Sequence, residues 1–129
     1  MTDINKRDKG TAGEQIAVSF LIENHYSIIK TNYRVGRLGE IDIIAWDGEY
    51  ICFVEVKTRS TYNFGIPSEA VGVQKQHKIK TIASIYLSNT GKTNHCVRFD
   101  VVEIKMKTIN GISQQENINL IKNAFCIGG

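Results

Sequence analysis

Two short stretches of the chain hold residues whose types and spacing could do chemistry: Gly39-Glu40-Ile41-Asp42 and Glu55-Val56-Lys57. Carboxylate oxygens are the hard ligands that Mg²⁺ and Mn²⁺ prefer, and such an ion can activate a bound water and neutralise a phosphate oxygen. An ammonium beside it can orient the attacking water or stabilise the charge of the transition state. These are the parts needed to hydrolyse a phosphodiester.

Such residues work only if the fold brings them together. Ile41 to Trp46 and Tyr50 to Thr58 are β-rich runs separated by Asp47-Gly48, a strong hairpin signal. With Asp47-Gly48 as a two-residue turn, Trp46 pairs with Glu49, Ile44 with Ile51, Asp42 with Phe53 and Glu40 with Glu55. Alternation then puts Glu40, Asp42, Glu55 and Lys57 on one sheet face, opposite an apolar face of Ile41, Ile43, Ala45, Cys52, Val54 and Val56. Asp42 becomes the diagonal neighbour of Glu55, with backbones about 7–8 Å apart, so both carboxylates can bend toward one metal ion. An exposed salt-bridge ladder would use the same residue types. The apolar run Ile51-Cys52-Phe53-Val54 instead marks a central strand, where charges need a reason.

The rest of the chain supplies the frame. Residues 1–10 read as a polar, flexible start. A helix is expected over Thr11 to Asn24, with Gly13, Ile16, Ala17, Phe20 and Leu21 forming its apolar stripe. Glu14 falls at the border of that stripe, where it either escapes to solvent or joins a site. A strand follows over Tyr26 to Arg34. Arg59 to Gly72, with the only proline, reads as a loop, and Val73 to Ser88 as a second helix burying Ile79, Ile82, Ala83 and Tyr86. Asn89-Thr90-Gly91 ends that helix. Cys96 to Met106 is a long strand, followed by a polar loop and Ile118 to Ile121. The expected fold class is α/β (α+β), with an αβββαβ order and a mixed central sheet flanked by helices.

Composition bounds the possibilities. A chain of 129 residues, 42% hydrophobic and 22% charged, fits one globular domain spanning 1–129. No apolar run is long enough to span a bilayer, so no membrane association is expected. The start carries no secretory signal, and three scattered cysteines fit neither a disulfide framework nor a zinc cluster; a cytoplasmic location follows. Residues 1–56 carry six Lys/Arg against nine Asp/Glu, while residues 57–107 carry nine against three. That asymmetry fits either an uneven solvated surface or an acidic metal pocket beside a face for a polyanion.

A helix glutamate at Gly13-Glu14, then Gly39-Glu40-Ile41-Asp42, then Phe53-Val54-Glu55-Val56-Lys57-Thr58-Arg59, forms an ordered set. Asn32-Tyr33-Arg34, Glu69-Ala70-Val71, Lys75 and Arg98-Phe99-Asp100-Val101-Val102 extend it along nearly the whole chain. The set resembles the YraN-like family of bacterial proteins. That family is similar to archaeal Holliday junction resolvases and the wider PD-(D/E)xK nuclease superfamily. The resemblance implies a restriction-endonuclease-like core and a divalent-metal-dependent endonuclease that hydrolyses DNA, including branched or structured DNA. By position, Asp42 and Glu55 would ligate Mg²⁺ or Mn²⁺, Lys57 would serve the nucleophilic water, and Glu14 would match a helix carboxylate assisting the metal. Glu40 and Arg59 are motif neighbours with accessory roles. A homodimer is compatible with this reading. Members of the superfamily can lose activity, so the alternative is a catalytically silent nucleic-acid-binding or protein-interaction module on the same fold.

Gln74 and Lys75, with Lys78 and Lys80, could touch phosphates near the start of the second helix, although a solvated basic helix would look the same. Tyr62 and Phe64 could stack on bases or anchor their loop to the core. His25, His77 and His95 share no ligand spacing, and Asp100 reads as structural.

Overall fold

The computed structural model describes residues 2–60 and 72–125. Its elements are α1 (Thr2–Glu23), β1 (Ser27–Val35), β2 (Gly39–Asp47), β3 (Tyr50–Ser60), α2 (Val73–Thr90), β4 (Cys96–Ile109) and β5 (Ile112–Phe125). The strands form one mixed sheet in the order β1-β2-β3-β4-β5, with β3–β4 parallel and the other neighbours antiparallel. The expected mixed α+β core is present, and β3 is its central strand. Among the described residues no helix is long and apolar enough to cross a membrane.

Both faces of the sheet are buried. Ile44, Ile51, Phe53, Phe99 and Val101 pack against Ile79, Ile82, Ala83 and Tyr86 of α2. Ile43, Ala45, Cys52, Val54, Val102 and Ile104 pack against Ala17 and Leu21 of α1 and against Tyr26. The α2 stripe is the one the sequence predicts, and Gly91 caps that helix. Helix α1 begins at Thr2 instead of Thr11. The polar start stays helical in keeping with the good helix propensity of Lys6, Arg7 and Lys9 in its sequence.

Two strand expectations need correcting. The hairpin turn is Gly48-Glu49, closed by Asp47↔Tyr50, so Trp46 faces Ile51 and Ile44 faces Phe53. Gly48 takes a φ of 60° at the first turn position, which glycine adopts without strain. The register is thus displaced by two residues from the one expected. The second correction is β5, which occupies most of the stretch read as loop and tail. It is an edge strand whose first half is exposed, so it shows no apolar alternation. Asn110-Gly111, with φ of 52° and 79°, makes the tight turn that joins it to β4.

At the turn end of β2, a polar network replaces the apolar core. The fully buried Asp100 accepts hydrogen bonds from Tyr26 Oη (2.8 Å), Arg98 Nε (2.9 Å), Arg98 Nη2 (2.9 Å) and the Asn123 backbone N–H (2.9 Å). Arg98 also bridges to Asp47 at 2.6 Å. Asp100 is therefore structural, as its sequence context indicates. His95 packs edge-on against Trp46 near this end.

Breaking one partner of a buried pair leaves an uncompensated charge, which costs about 3–5 kcal/mol. Arg98→Met is expected to lower the urea midpoint accordingly, and Tyr26→Phe to cost about 1–2 kcal/mol. Equal midpoints for wild type and Arg98→Met would show that the network does not stabilise the fold.

Candidate functional site

The carboxylates gather at the other end of the hairpin, where β2 and β3 stop pairing. Their regular ladder ends at Ile43↔Val54. Beyond it, the Asp42 carboxylate accepts the Val56 backbone N–H at 2.8 Å, taking the place of a strand carbonyl. Strand alternation breaks at the same residue. Ile41 packs in the α2 layer and Ile43 in the α1 layer, although residues two apart on a regular strand share a face.

This break corrects the expectation that Glu40, Asp42, Glu55 and Lys57 line one face. Glu40 and Asp42 approach Glu14 of α1, and one oxygen from each of the three lies within 4.8 Å of the others. Glu55 and Lys57 meet Lys75 at the start of α2. The Glu55 Oε2–Lys75 Nζ distance is 3.0 Å, and Lys57 lies close enough to Lys75 for the two ammonium groups to repel. Asp42 stands between the two groups and responds to the fields of Glu55, Glu14 and Lys75 alike.

Local structure explains each placement. Gly13 lets α1 come down onto β3: a Cβ there would stand 3.1 Å from Thr58 Oγ1. That approach puts Glu14 beside Asp42. Asn32, in the left-handed conformation that asparagine tolerates better than most residues, donates its amide to Glu14 Oε2 at 2.7 Å. Its backbone signal was present in the sequence only as an asparagine inside a strand, and its role in holding Glu14 is not one that spacing reveals. Arg59, expected as an accessory residue, pairs with Glu103 at 2.9 Å. Gln74, Lys75 and Lys78 line a cleft of about 620 Å³ between α2 and the Leu38-Gly39-Glu40 start of β2. Tyr62, Phe64 and Glu69-Ala70-Val71 lie outside the described residues.

The electrostatics are those of a site that lacks enough positive charge. Burial, then the neighbouring Glu55 carboxylate, pushes the Asp42 carboxyl up to about 7. Burial also raises Glu55, although Lys75 and Lys57 pull it back. Burial and the adjacent Lys75 ammonium lower Lys57; burial opposes the charge of Lys75 too, but Glu55 and Asp42 with its other contacts together leave Lys75 raised. Glu55 is 2% exposed, and its Oε1 has no hydrogen-bond partner among the described residues. A buried, unpartnered carboxylate oxygen beside three clustered carboxylates is a donor set suited to a hard divalent cation. The clustered Glu14, Glu40 and Asp42 oxygens could hold it, and Glu55, which stands outside that cluster, offers the further oxygen Oε1.

A pH dependence follows. The folded Asp42 carboxyl sits near 7 against an ordinary value of 3.8. Between those values the folded chain binds more protons than the unfolded one, so its stability is greatest at low pH and falls as pH rises toward about 7. In EDTA, urea unfolding from pH 4 to 8 should show this decline for wild type and a flatter profile for Asp42→Asn. Parallel profiles would contradict the strained-carboxylate account.

Residues 13–104 match the model of the uncharacterised protein family UPF0102. A UPF0102 protein of Acetivibrio thermocellus is 51% identical over 121 residues, covering 94% of this chain and 93% of that relative. One from Caldicellulosiruptor saccharolyticus is 47% identical over 122 residues, covering 95% and 100%. One from Clostridium botulinum is 44% identical, covering 94% and 96%. The family match includes every candidate residue from Glu14 to Lys75. The chain belongs to the UPF0102 family.

Proposed function

We propose that this protein is a divalent-metal-dependent endonuclease acting on DNA, with Asp42, Glu55 and Lys57 at its centre. One observation carries the reading: Asp42 is fixed by the Val56 N–H between the Glu14–Glu40 carboxylates and a buried Glu55 whose Oε1 lacks a partner among the described residues. A structural salt-bridge ladder would pair its carboxylates. Here carboxylates outnumber the lysines beside them, and burial disfavours the charge of Asp42 and Glu55.

A bound Mg²⁺ or Mn²⁺ would supply Lewis acidity at a phosphate oxygen and make a coordinated water more acidic. The chain's own residues do the rest. Asp42 and Glu55 would hold that ion. Lys57, whose charged form is disfavoured, spends more time as the neutral amine than a free lysine does and is so placed to take the proton of the attacking water. The water oxygen bonds to phosphorus, the P–O bond to the leaving strand breaks, and the departing oxygen is protonated from solvent. Lys75 and Lys78, at the cleft between α2 and β2, suit the flanking phosphates.

Two measurements test the reading. Calorimetry should detect Mn²⁺ binding that Asp42→Ala or Glu55→Ala weakens at least about tenfold. Unchanged binding in both variants would remove the metal site. A cleavage screen over linear, nicked, flapped and four-way DNA with Mg²⁺ and Mn²⁺ should show turnover that Asp42→Asn reduces at least about 100-fold. Metal-free DNA affinity should hold or rise in Asp42→Asn, because a negative charge has gone. Lys57→Ala should also stop turnover, and if it contacts one phosphate the log–log salt slope should fall by about one. A silent binding module predicts no cleavage by any form.

A further inference from the structure

Among the described residues, the β4–β5 hairpin reaches beyond the rest of the sheet at the end where the carboxylates lie. Of those residues, β3 pairs with β4 as far as Ser60↔Met106. Past that point β4 and β5 pair with each other through Lys107↔Gln114, Thr108↔Ser113 and Ile109↔Ile112, and Asn110-Gly111 closes the turn. Glu55, Lys57 and Arg59 sit on the neighbouring part of β3, level with Val101, Glu103 and Lys105. The projecting ribbon therefore leaves the sheet from the same end as the candidate site.

The tip has an unusual make-up for a solvent-facing turn. Ile109 is 42% exposed and Ile112 62%, and the two face each other across the last rung. A tight turn needs Asn-Gly, but it does not need two large apolar flanks, and polar residues there would cost no core packing. Behind the tip, Lys105 and Lys107 lie on β4, and β5 contributes the exposed amides Gln114 and Asn117. Lys105 stands 3.9 Å from Glu116, the acidic residue of this arm. An apolar point on a ribbon of bases and amides matches DNA whose stacking is already interrupted. Isoleucine is one of the side chains that proteins insert between base steps, lysines meet the flanking phosphates, and a two-stranded ribbon fits a groove.

We infer that the Ile109–Ile112 tip is a wedge that seats at the branch point of forked or flapped DNA and sets where the strand is presented to the carboxylate site. This rests on the nucleic-acid reading above and names its substrate class. The distance is informative. From Glu103, level with Lys57, to Ile109 the strand advances roughly 20 Å at about 3.3 Å per residue. At 3.4 Å per nucleotide along a strand, the tip lies about six nucleotides from the candidate site.

The test uses the full chain in EDTA with a fork carrying 2-aminopurine at its branch, and a duplex of equal length with the same label inside. Wild type should bind the fork at least about tenfold more tightly than the duplex and raise the 2-aminopurine emission as the base unstacks. The double variant Ile109→Ser/Ile112→Ser alters only exposed side chains. It should keep the duplex affinity, lose the emission rise and bring the fork preference within about twofold. An emission rise that survives in the double variant, or a wild type without fork preference, overturns the wedge. So does a wild-type dimer in sedimentation that the double variant dissociates, since the tip would then be a contact between copies. The two readings fail separately. Fork preference without cleavage in metal defeats the nuclease and leaves the wedge, whereas cleavage without fork preference does the reverse.

Discussion

Where β2 and β3 part, the Val56 N–H loses its strand partner inside a covered sheet, and the Asp42 carboxylate takes it at 2.8 Å. A buried amide left unpaired costs about as much as a lost hydrogen bond, so this contact is what lets the two strands diverge. Divergence in turn breaks the alternation of β2, sending Ile41 to the α2 layer while Ile43 stays in the α1 layer. It also anchors Asp42 by one oxygen. The residue is thus held between two layers that otherwise never meet, and groups from both α1 and α2 converge on it.

That convergence sets the electrostatic character of this end of the sheet. Glu14 arrives from α1, Glu40 from β2, Glu55 from the central strand, and Lys75 from α2. Burial is what pushes the Asp42 and Glu55 carboxyls upward, and for Asp42 the neighbouring Glu55 and Glu14 carboxylates add to it. The opposite end of the hairpin solves the same problem differently. There the buried Asp100 is fully occupied by Tyr26, Arg98 and the Asn123 N–H, so its charge is bound into the fold. Asp100 is saturated by its own chain, and Glu55 keeps an oxygen without a partner among the described residues.

Much of this was legible in the sequence. The apolar run before Glu55 announced the central strand, and the 3.6-residue spacing of Ile79, Ile82, Ala83 and Tyr86 gave the buried face of α2. The proximity of Asp42 to Glu55 was legible, but not its mechanism. Ideal alternation assumes an unbroken ladder, and a side chain that replaces a backbone carbonyl leaves no periodic trace. The turn was misplaced by one residue because Asp47-Gly48 and Gly48-Glu49 are both acceptable hairpin pairs, and only the φ of Gly48 distinguishes them. Strand β5 escaped notice because an edge strand facing water has no apolar alternation. The Asn110-Gly111 dipeptide between Ile109 and Ile112 was the available signal, and it is a stronger one than composition. Lys75 was legible as a basic residue near the site; its partnership with Glu55 depends on how α2 is docked.

The parallel pairing of β3 with β4 has a consequence for how the chain acquires its shape. The β2–β3 hairpin joins neighbours in sequence, so its loop closes at little entropic cost, whereas Tyr50↔Cys96 waits for α2 to form and cross over. Asp42 and Glu55 come together in the local step. Lys75 reaches Glu55 only in the later one, and Glu14 depends on the docking of α1. During synthesis, the hairpin emerges well before the helix that supplies its counter-charge. The order of contacts therefore runs from the local pairing of the two carboxylate-bearing strands to the long-range one that brings Lys75 to Glu55.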